Sequence, residues 1–335
     1  MTRPLYHLTI LPPPLSGTEA VSQEVAALQA RFGGELVYLN PNRRLPLPLP
    51  RLAFGWQMAP RLRALETSHT LHHIFNPDPF PFPILKILRR PTLYTLTGGI
   101  IDAPSPNFFS KLAMVVVMDE RSWQTLRNLG LQNVSLVRPG INTMRFVPSP
   151  PPPLEPMRLL AGSAPWTEAQ FASKGVNILL EAARQNANLH LVFLWRGVLW
   201  NEMMKRVRTL GLERQVTIIN KRVDVNSVLA TVHAAVALST DARIIKPYPR
   251  SLLESLAAGR PVLVSPQIPM ADYVTQRGCG LVVESVSTEG VLTAVEMLTA
   301  NYAQIQTRAQ AIGARDFSQE AMVSAYGQLY QTIEQ

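Results

Sequence analysis

The chain has 335 residues, 47% hydrophobic and only 16% charged, which is too long for one ordinary core and too apolar for extended disorder. A net charge of +9 suits a phosphate-rich ligand, an anionic membrane surface or nucleic acid. Lys and Arg are scattered without a block of five, and no zinc-finger or aromatic RNA-binding signature accompanies them, so nucleic acid is set aside. Cys279 is the only cysteine, which excludes internal disulfides and a cysteine-rich metal site. No run of 18 apolar residues occurs and the first residues lack a signal-peptide centre, so a cytoplasmic chain is expected.

In chain order, short apolar runs at His7–Leu11, Glu35–Leu39, Leu71–Phe75, Thr92–Leu96, Met114–Met118 and Val134–Val137 read as buried parallel strands. Helical patterns separate them. Thr18–Phe32 repeats Val21, Val25, Leu28 and Phe32 on one face, and Glu120–Leu129 follows the same period. Between the second and third runs, Pro41–Pro60 interleaves Arg43, Arg44 and Arg51 with Leu45, Leu47, Leu49, Phe54 and Trp56. Such a segment is either an irregular surface loop or a face that docks on anionic lipid or an acceptor. His72 and His73 are adjacent in a strand, hence on opposite faces, and do not share a metal.

Pro148–Pro156 cannot continue a helix or join a central strand, and marks a stiff connection between two domains. A second alternating series follows, with strands at Arg158–Ala161, Leu189–Trp195, Val216–Ile219, Ala234–Leu238, Pro261–Val264 and Leu281–Val283. Helical patterns through Val291–Ile312 and Gln319–Ile333 close the chain. Alternation of this kind implies two doubly wound α/β sheets, with ligands outside the carboxyl ends of the strands.

Chemistry concentrates in Leu238–Glu284. Pro249 stands where a helix begins and Gly259 where it ends. The first turn, Arg250, Ser251 and Leu252, would present backbone N–H groups at the positive end of the dipole, a ready anion site. Glu254, one turn in, is placed to accept two ribose hydroxyls. The chain has no phosphate loop of the Walker type, no nucleophile elbow, no HExxH and no Asp-x-Asp pair, so metal catalysis has no visible anchor and no metal or cofactor is expected.

These stretches resemble the retaining glycosyltransferases of GT-B fold, family 4. The resemblance is carried by Leu253-Glu254 through Gly259 to Ser265, by Ser173-Lys174-Gly175, by Val115–Gly130 leading into Val137–Pro148, and by the Ser16-Gly17 loop. It covers nearly all of the second half and the last third of the first. It implies a GT-B fold of two Rossmann-like domains facing each other across a cleft: residues 1–150 on the acceptor side, 151–318 on the nucleotide-sugar side, and 319–335 packing back on the first. It also implies that Glu254 binds the donor ribose and that the N–H groups of Arg250, Ser251 and Leu252 hold the diphosphate. In this reading Lys174 neutralises the leaving group, and Gly17 lets the backbone approach phosphate or acceptor.

Three positions depart from the family's pattern. Lys246 replaces a glutamate that usually contacts the sugar, Thr97 before Gly98-Gly99 replaces a histidine, and Ser163 replaces an arginine. Lys246 becomes a second positive charge for phosphate or an acidic sugar, Thr97 and Gly98 remain sugar or acceptor contacts, and Arg250 stands in for the arginine. The expected activity is metal-independent, retaining transfer from a nucleotide-sugar to a glycan, lipid-linked or small-molecule acceptor. The alternative is a GT-B protein that binds nucleotide or a partner and has lost transfer.

Overall fold

The computed structural model describes residues 3–9, 19–41, 49–101, 104–162, 164–195 and 197–334. By contacts the chain forms two units, Met1–Gly140 with Gln319–Gln335 (unit 1) and Ile141–Ser318 (unit 2).

Unit 1 holds β1 (Arg3–Leu8), β2 (Glu35–Tyr38), β3 (Thr70–Asn76), β4 (Thr92–Leu96), β5 (Met114–Val117) and β6 (Val134–Leu136). They form one parallel sheet in the order β2-β1-β3-β4-β5-β6. Every residue of β3 and β4 is buried, as both-face coverage by helices requires. The helices are α1 (Ala20–Phe32), α2 (Ala59–Leu65), α3 (Pro106–Phe109) and α4 (Glu120–Asn128). α1 begins where the Glu19 carboxylate accepts the Ser22 N–H at 2.6 Å and ends at Gly33, φ +69°. Its Val21, Val25 and Leu28 pack on Tyr6, Leu8, Phe75 and Leu93. The other face of the sheet, with Ile74, Tyr94, Leu96 and Val115, is covered by Leu62, Phe82, Phe109 and Leu126.

Unit 2 holds β7 (Met157–Ala161), β8 (Leu189–Leu194), β9 (Val216–Ile219), β10 (Ala234–Ala237), β11 (Val262–Val264) and β12 (Gly280–Val282), again all parallel, in the order β12-β11-β10-β7-β8-β9. Its helices are α5 (Ala169–Ser173), α6 (Val176–Gln185), α7 (Trp200–Thr209), α8 (Val225–Leu229), α9 (Arg250–Ala257), α10 (Met270–Arg277), α11 (Thr288–Ala300) and α12 (Tyr302–Asp316). The Val291–Ile312 pattern is two helices because Asn301 caps the first: its N–H and Nδ2 both donate to the Met297 carbonyl, at 3.2 and 2.9 Å. α13 (Gln319–Glu334) belongs to unit 1 and places Met322, Tyr326 and Tyr330 in the core beside α1.

The Pro-rich stretch is fastened to unit 2 by two buried side chains. Arg260 donates from Nε to the Leu229 carbonyl at 3.1 Å and from Nη2 to Ser149 Oγ and the Pro150 carbonyl at 2.9 and 3.0 Å. His233 accepts the Arg158 N–H at Nδ1, 2.9 Å, so its proton sits on Nε2 and faces the Pro152 and Pro153 carbonyls at 3.2 and 3.1 Å. Ile141 and Phe146 already pack in the second core, so the change of unit falls at Gly140, ahead of the prolines. Cys279 is buried in that core, where desolvation pushes its thiol up to about 12 and leaves it unreactive. Among the described residues no helix is long and apolar enough to cross a membrane.

Candidate functional site

Open parallel sheets bind ligands beyond the carboxyl ends of their strands, where the strand order reverses. In unit 2 that point lies between β7 and β10, and three pieces of chain converge on it. The exit of β7 at Gly162 touches the first turn of α9: a Cβ on Gly162 would stand 2.5 Å from Ser251 Cβ, so only glycine fits. Residues 173–175 cross the end of β10, where the Ser173 carbonyl accepts the Thr240 N–H at 2.9 Å. There Gly175, at φ +66°, would bring a Cβ to 2.7 Å from Leu238 Cβ. Between them Lys174 is 8% exposed and donates from Nζ to the Ala164 carbonyl at 3.1 Å. Burial lowers the Lys174 pKa, because removing water disfavours its charged form. An anion placed beside it would favour the charged form.

α9 is held firmly. Leu252, Leu253 and Leu256 are buried, and α12 lies so close that a Cβ on Gly313 would meet the Leu256 carbonyl oxygen at 1.9 Å. The approach to the helix is fixed by Tyr248, whose ring packs 5.5 Å from Phe317, and by the Pro247 carbonyl, which accepts the Met270 N–H at 3.0 Å. Ser265 Oγ accepts the Ser239 N–H at 2.9 Å and donates to the Ser239 carbonyl at 3.0 Å, tying the ends of β10 and β11 together.

Within the first turn, the Leu252 N–H donates to the Pro249 carbonyl at 2.9 Å. The positions ahead of that bond are Arg250 and Ser251. Arg250 also acts through its side chain: its Nε donates to Glu254 Oε1 at 2.8 Å. Glu254, with a side chain 14% exposed, is therefore an oriented carboxylate with one oxygen engaged. Lys246, by contrast, is exposed on the segment leading into α9.

A model of the family "Glycosyl transferases group 1" matches residues 169–314, which take in Lys174, the β10 exit and all of α9. Residues 169–314 thus form a glycosyl transferases group 1 domain. Solved structures similar to the chain include HepE of Anabaena in complex with UDP, 15% identical over 99% of this chain and 100% of that one, with a TM-score of 0.72. Sucrose-phosphate synthase of Thermosynechococcus elongatus is 15% identical over 99% of both chains, TM-score 0.75. A glycosyltransferase of Rickettsia africae is 14% identical over 100% of this chain and 99% of that one, TM-score 0.74. No curated protein matches by sequence. The fold is GT-B, built on two Rossmann-like sheets.

The sheet of unit 1 has its own polar cluster at its reversal point, between β1 and β3. Thr9, just past β1, donates from Oγ1 to Asn76 Oδ1 at 2.5 Å, and the Thr97 N–H donates to the Asn76 carbonyl at 2.8 Å. Thr97 is buried. Gly98 passes so close to Pro77 that a Cβ would sit 2.3 Å from its carbonyl oxygen. Asn76 Nδ2 donates in turn to Asp78 Oδ1 at 2.9 Å. Thr97 and Gly98 thus lie at the carboxyl edge of this sheet, and Asn76 and Asp78 join them there without having been singled out in the sequence.

Arg51 belongs to the segment that the sequence leaves open between a surface loop and a face docking on lipid or an acceptor. It makes two hydrogen bonds to the Asp78 carboxylate, both 2.8 Å, and lies 4.3 Å over the Phe80 ring. Burial opposes ionisation of Asp78, but the guanidinium outweighs it and holds the carboxyl below its ordinary value. Arg51 is a strut of the fold. Arg43, Arg44, Gly17 and Ser163 lie outside the described residues.

His72 and His73 do face opposite ways. His73 bonds Tyr330 Oη at 2.7 Å and Thr95 Oγ1 at 2.8 Å, while His72 lies 2.9 Å from both Glu66 Oε1 and His7 Nε2. All three imidazoles are buried and their pKa values lowered, mainly by desolvation. The Glu66–His72 contact is therefore a carboxylate accepting from a neutral ring. Among the described residues no group of three or more His, Cys, Asp or Glu side chains is placed to hold a metal.

Proposed function

We propose that the chain transfers a sugar from a nucleotide-sugar donor, with the donor's diphosphate at the switch point of unit 2. The observation that carries this reading is the convergence there of the α9 N-terminus, the buried Lys174 and the glycine exit of β7. Arg250 and Ser251 present main-chain N–H groups to the diphosphate and Lys174 supplies a desolvated cation. Together they stabilise the charge that grows on the leaving group as the glycosidic bond breaks, without a metal. Glu254, steadied by Arg250, accepts the ribose hydroxyls through its second oxygen. Uridine diphosphate is the favoured carrier, because HepE, which shares the fold along its whole length, was crystallised with UDP and with UDP-glucose.

The acceptor, a glycan, a lipid-linked sugar or a small molecule, is received at the carboxyl edge of unit 1 near Thr97 and Gly98. Retention of anomeric configuration follows from the family resemblance. Lys246 adds positive charge beside the donor and suits an acidic sugar. A radiolabelled UDP-sugar panel, with release of UDP as readout in a chelator, tests the reading. Turnover of at least one donor is expected. Binding of UDP with no turnover of any donor would favour a nucleotide-binding protein that has lost transfer, and no binding at all would remove the site.

A further inference from the structure

Unit 1 carries a second feature, far from the strand ends that the transfer reading uses. A groove of about 1020 Å³ opens at the amino ends of β4 and β5, where Pro91 and Thr92 enter one strand and Ala113 precedes the other. The size is that of a site for one sizeable ligand. Its walls are apolar, with Leu85, Leu88, Phe108 and Leu112, and Leu52, 60% exposed, lies on its lining. Three cations line it as well, Lys86, Arg90 and Lys111, and among the described residues no Asp or Glu does.

All three cations are exposed, and none forms an ion pair among the described residues. The nearby acids are already taken. Glu66 Oε1 accepts the Arg89 N–H at 2.8 Å and faces His72, and Asp78 is bound by Arg51. The Arg89 bond, with the His72 N–H donating to the Pro91 carbonyl at 3.0 Å, fastens the 89–91 wall to the buried sheet. The groove is thus built and rigid on one side, positive and apolar, and among the described residues no acid neutralises it. An uncharged carbohydrate would leave the three cations without a counter-charge and the apolar wall without a partner. An anionic phospholipid matches both properties at once.

We propose that this groove seats an anionic phospholipid of a membrane surface, its phosphate between Lys86, Arg90 and Lys111 and its first methylenes on Leu85, Leu88, Phe108 and Leu112. Because the groove lies at the opposite strand ends from Thr97 and Gly98, lipid occupancy leaves the carboxyl edge of the sheet open. The claim does not rest on the transfer reading.

The test is sedimentation of the full chain with phosphatidylglycerol and with phosphatidylcholine vesicles. It compares wild type with Lys86→Gln/Arg90→Gln/Lys111→Gln and with Arg31→Gln/Arg63→Gln/Lys221→Gln, which removes the same charge from exposed sites elsewhere. Wild type is expected to bind phosphatidylglycerol only. The groove variant should lose about a hundredfold in affinity, the sum of three near-surface cations, while the control variant changes by less than roughly fivefold. UDP thermal shifts of both variants report folding separately. Equal loss in the two variants would mean that net charge alone binds, and no wild-type binding would remove the lipid. Displacement of the vesicles by millimolar inorganic phosphate would make this a free-phosphate site. Any of the three overturns the proposal.

Discussion

The contact between Gly162 and Ser251 gives the nucleotide site its sharpest test. Adding one methyl in Gly162→Ala places a carbon 2.5 Å from Ser251 Cβ and 3.0 Å from its Oγ, where ordinary contacts begin near 3.5 Å. Something must move by about 1 Å. Ser251 Cβ cannot turn away, since it is fixed to the helix backbone, and α9 is locked by Leu252, Leu253, Leu256 and the close approach of Gly313. Strain of this kind costs about 1–3 kcal/mol, or roughly 2–4 °C in melting temperature per kcal/mol for a unit of this size. A displacement of ~1 Å in the diphosphate cradle is enough to weaken binding by up to about a hundredfold. UDP affinity by calorimetry and the melting temperature should therefore both fall. Gly162→Ala/Ser251→Gly removes the offending atom and should recover most of both, a coupling that a double-mutant cycle reads directly. If Gly162→Ala binds UDP as wild type does, or if the double variant stays as weak as the single one, the packing described at the β7 exit is wrong.

Glu254→Ala should weaken UDP binding by about tenfold or more, since hydrogen bonds to a charged acceptor contribute about 1.5–3 kcal/mol each; unchanged affinity in a titration would dismiss the ribose contact. Lys246→Ala should lower donor turnover while leaving UDP affinity within about threefold, and equal turnover would take Lys246 out of the site. Arg51→Ala, which breaks a half-exposed ion pair, should cost about 1 kcal/mol in urea unfolding and leave vesicle binding unaltered. Loss of vesicle binding instead would return Arg51 to the lipid face. Because His7, His72 and His73 are held neutral by burial, the unfolded chain binds their protons first as pH falls through the ordinary histidine range near 6.5. Stability is thus full above that range and declines below it, by up to about 1.4 kcal/mol per pH unit for each imidazole. A urea midpoint higher at pH 5.5 than at 7.5 would contradict their placement.

Both sheets were legible in the sequence because their strands are short, mostly apolar runs: Thr92–Leu96 coincides with the central β4 and Val216–Ile219 with the edge strand β9. α9 was legible from Pro249 and Gly259 as start and stop. The β1 reading, His7–Leu11, began four residues late, because Arg3 and Pro4 look like an unstructured start although Pro4 is buried and Leu5 pairs with both β2 and β3. Lys174 stands out in the sequence only by its Ser-Lys-Gly setting; its burial and its bond to Ala164 depend on the β7 exit and on residues 173–175 meeting in space. Gly162 was readable in principle, since a glycine directly after a buried strand marks close backbone approach. The Arg250–Glu254 bond is an i,i+4 pair that any helix permits; only the burial of Glu254 distinguishes it from a solvated one. The Arg51–Asp78 strut joins residues 27 positions apart, and local pattern carries no trace of it. Arg51 looked like part of a basic face for that reason.

The central claim is that a nucleoside diphosphate binds unit 2 through Lys174 and the α9 turn with no metal. A calorimetric titration of UDP into wild type and Lys174→Met, both in chelator, tests it most directly. Methionine fills the same buried space without a charge to desolvate, so the variant should melt no lower than wild type. At UDP a hundredfold above its dissociation constant, wild type should gain about 2.7 kcal/mol, roughly 5–11 °C, while Lys174→Met binds at least tenfold more weakly. Equal UDP affinity in the two proteins, or binding that appears only when magnesium is added, would contradict the account.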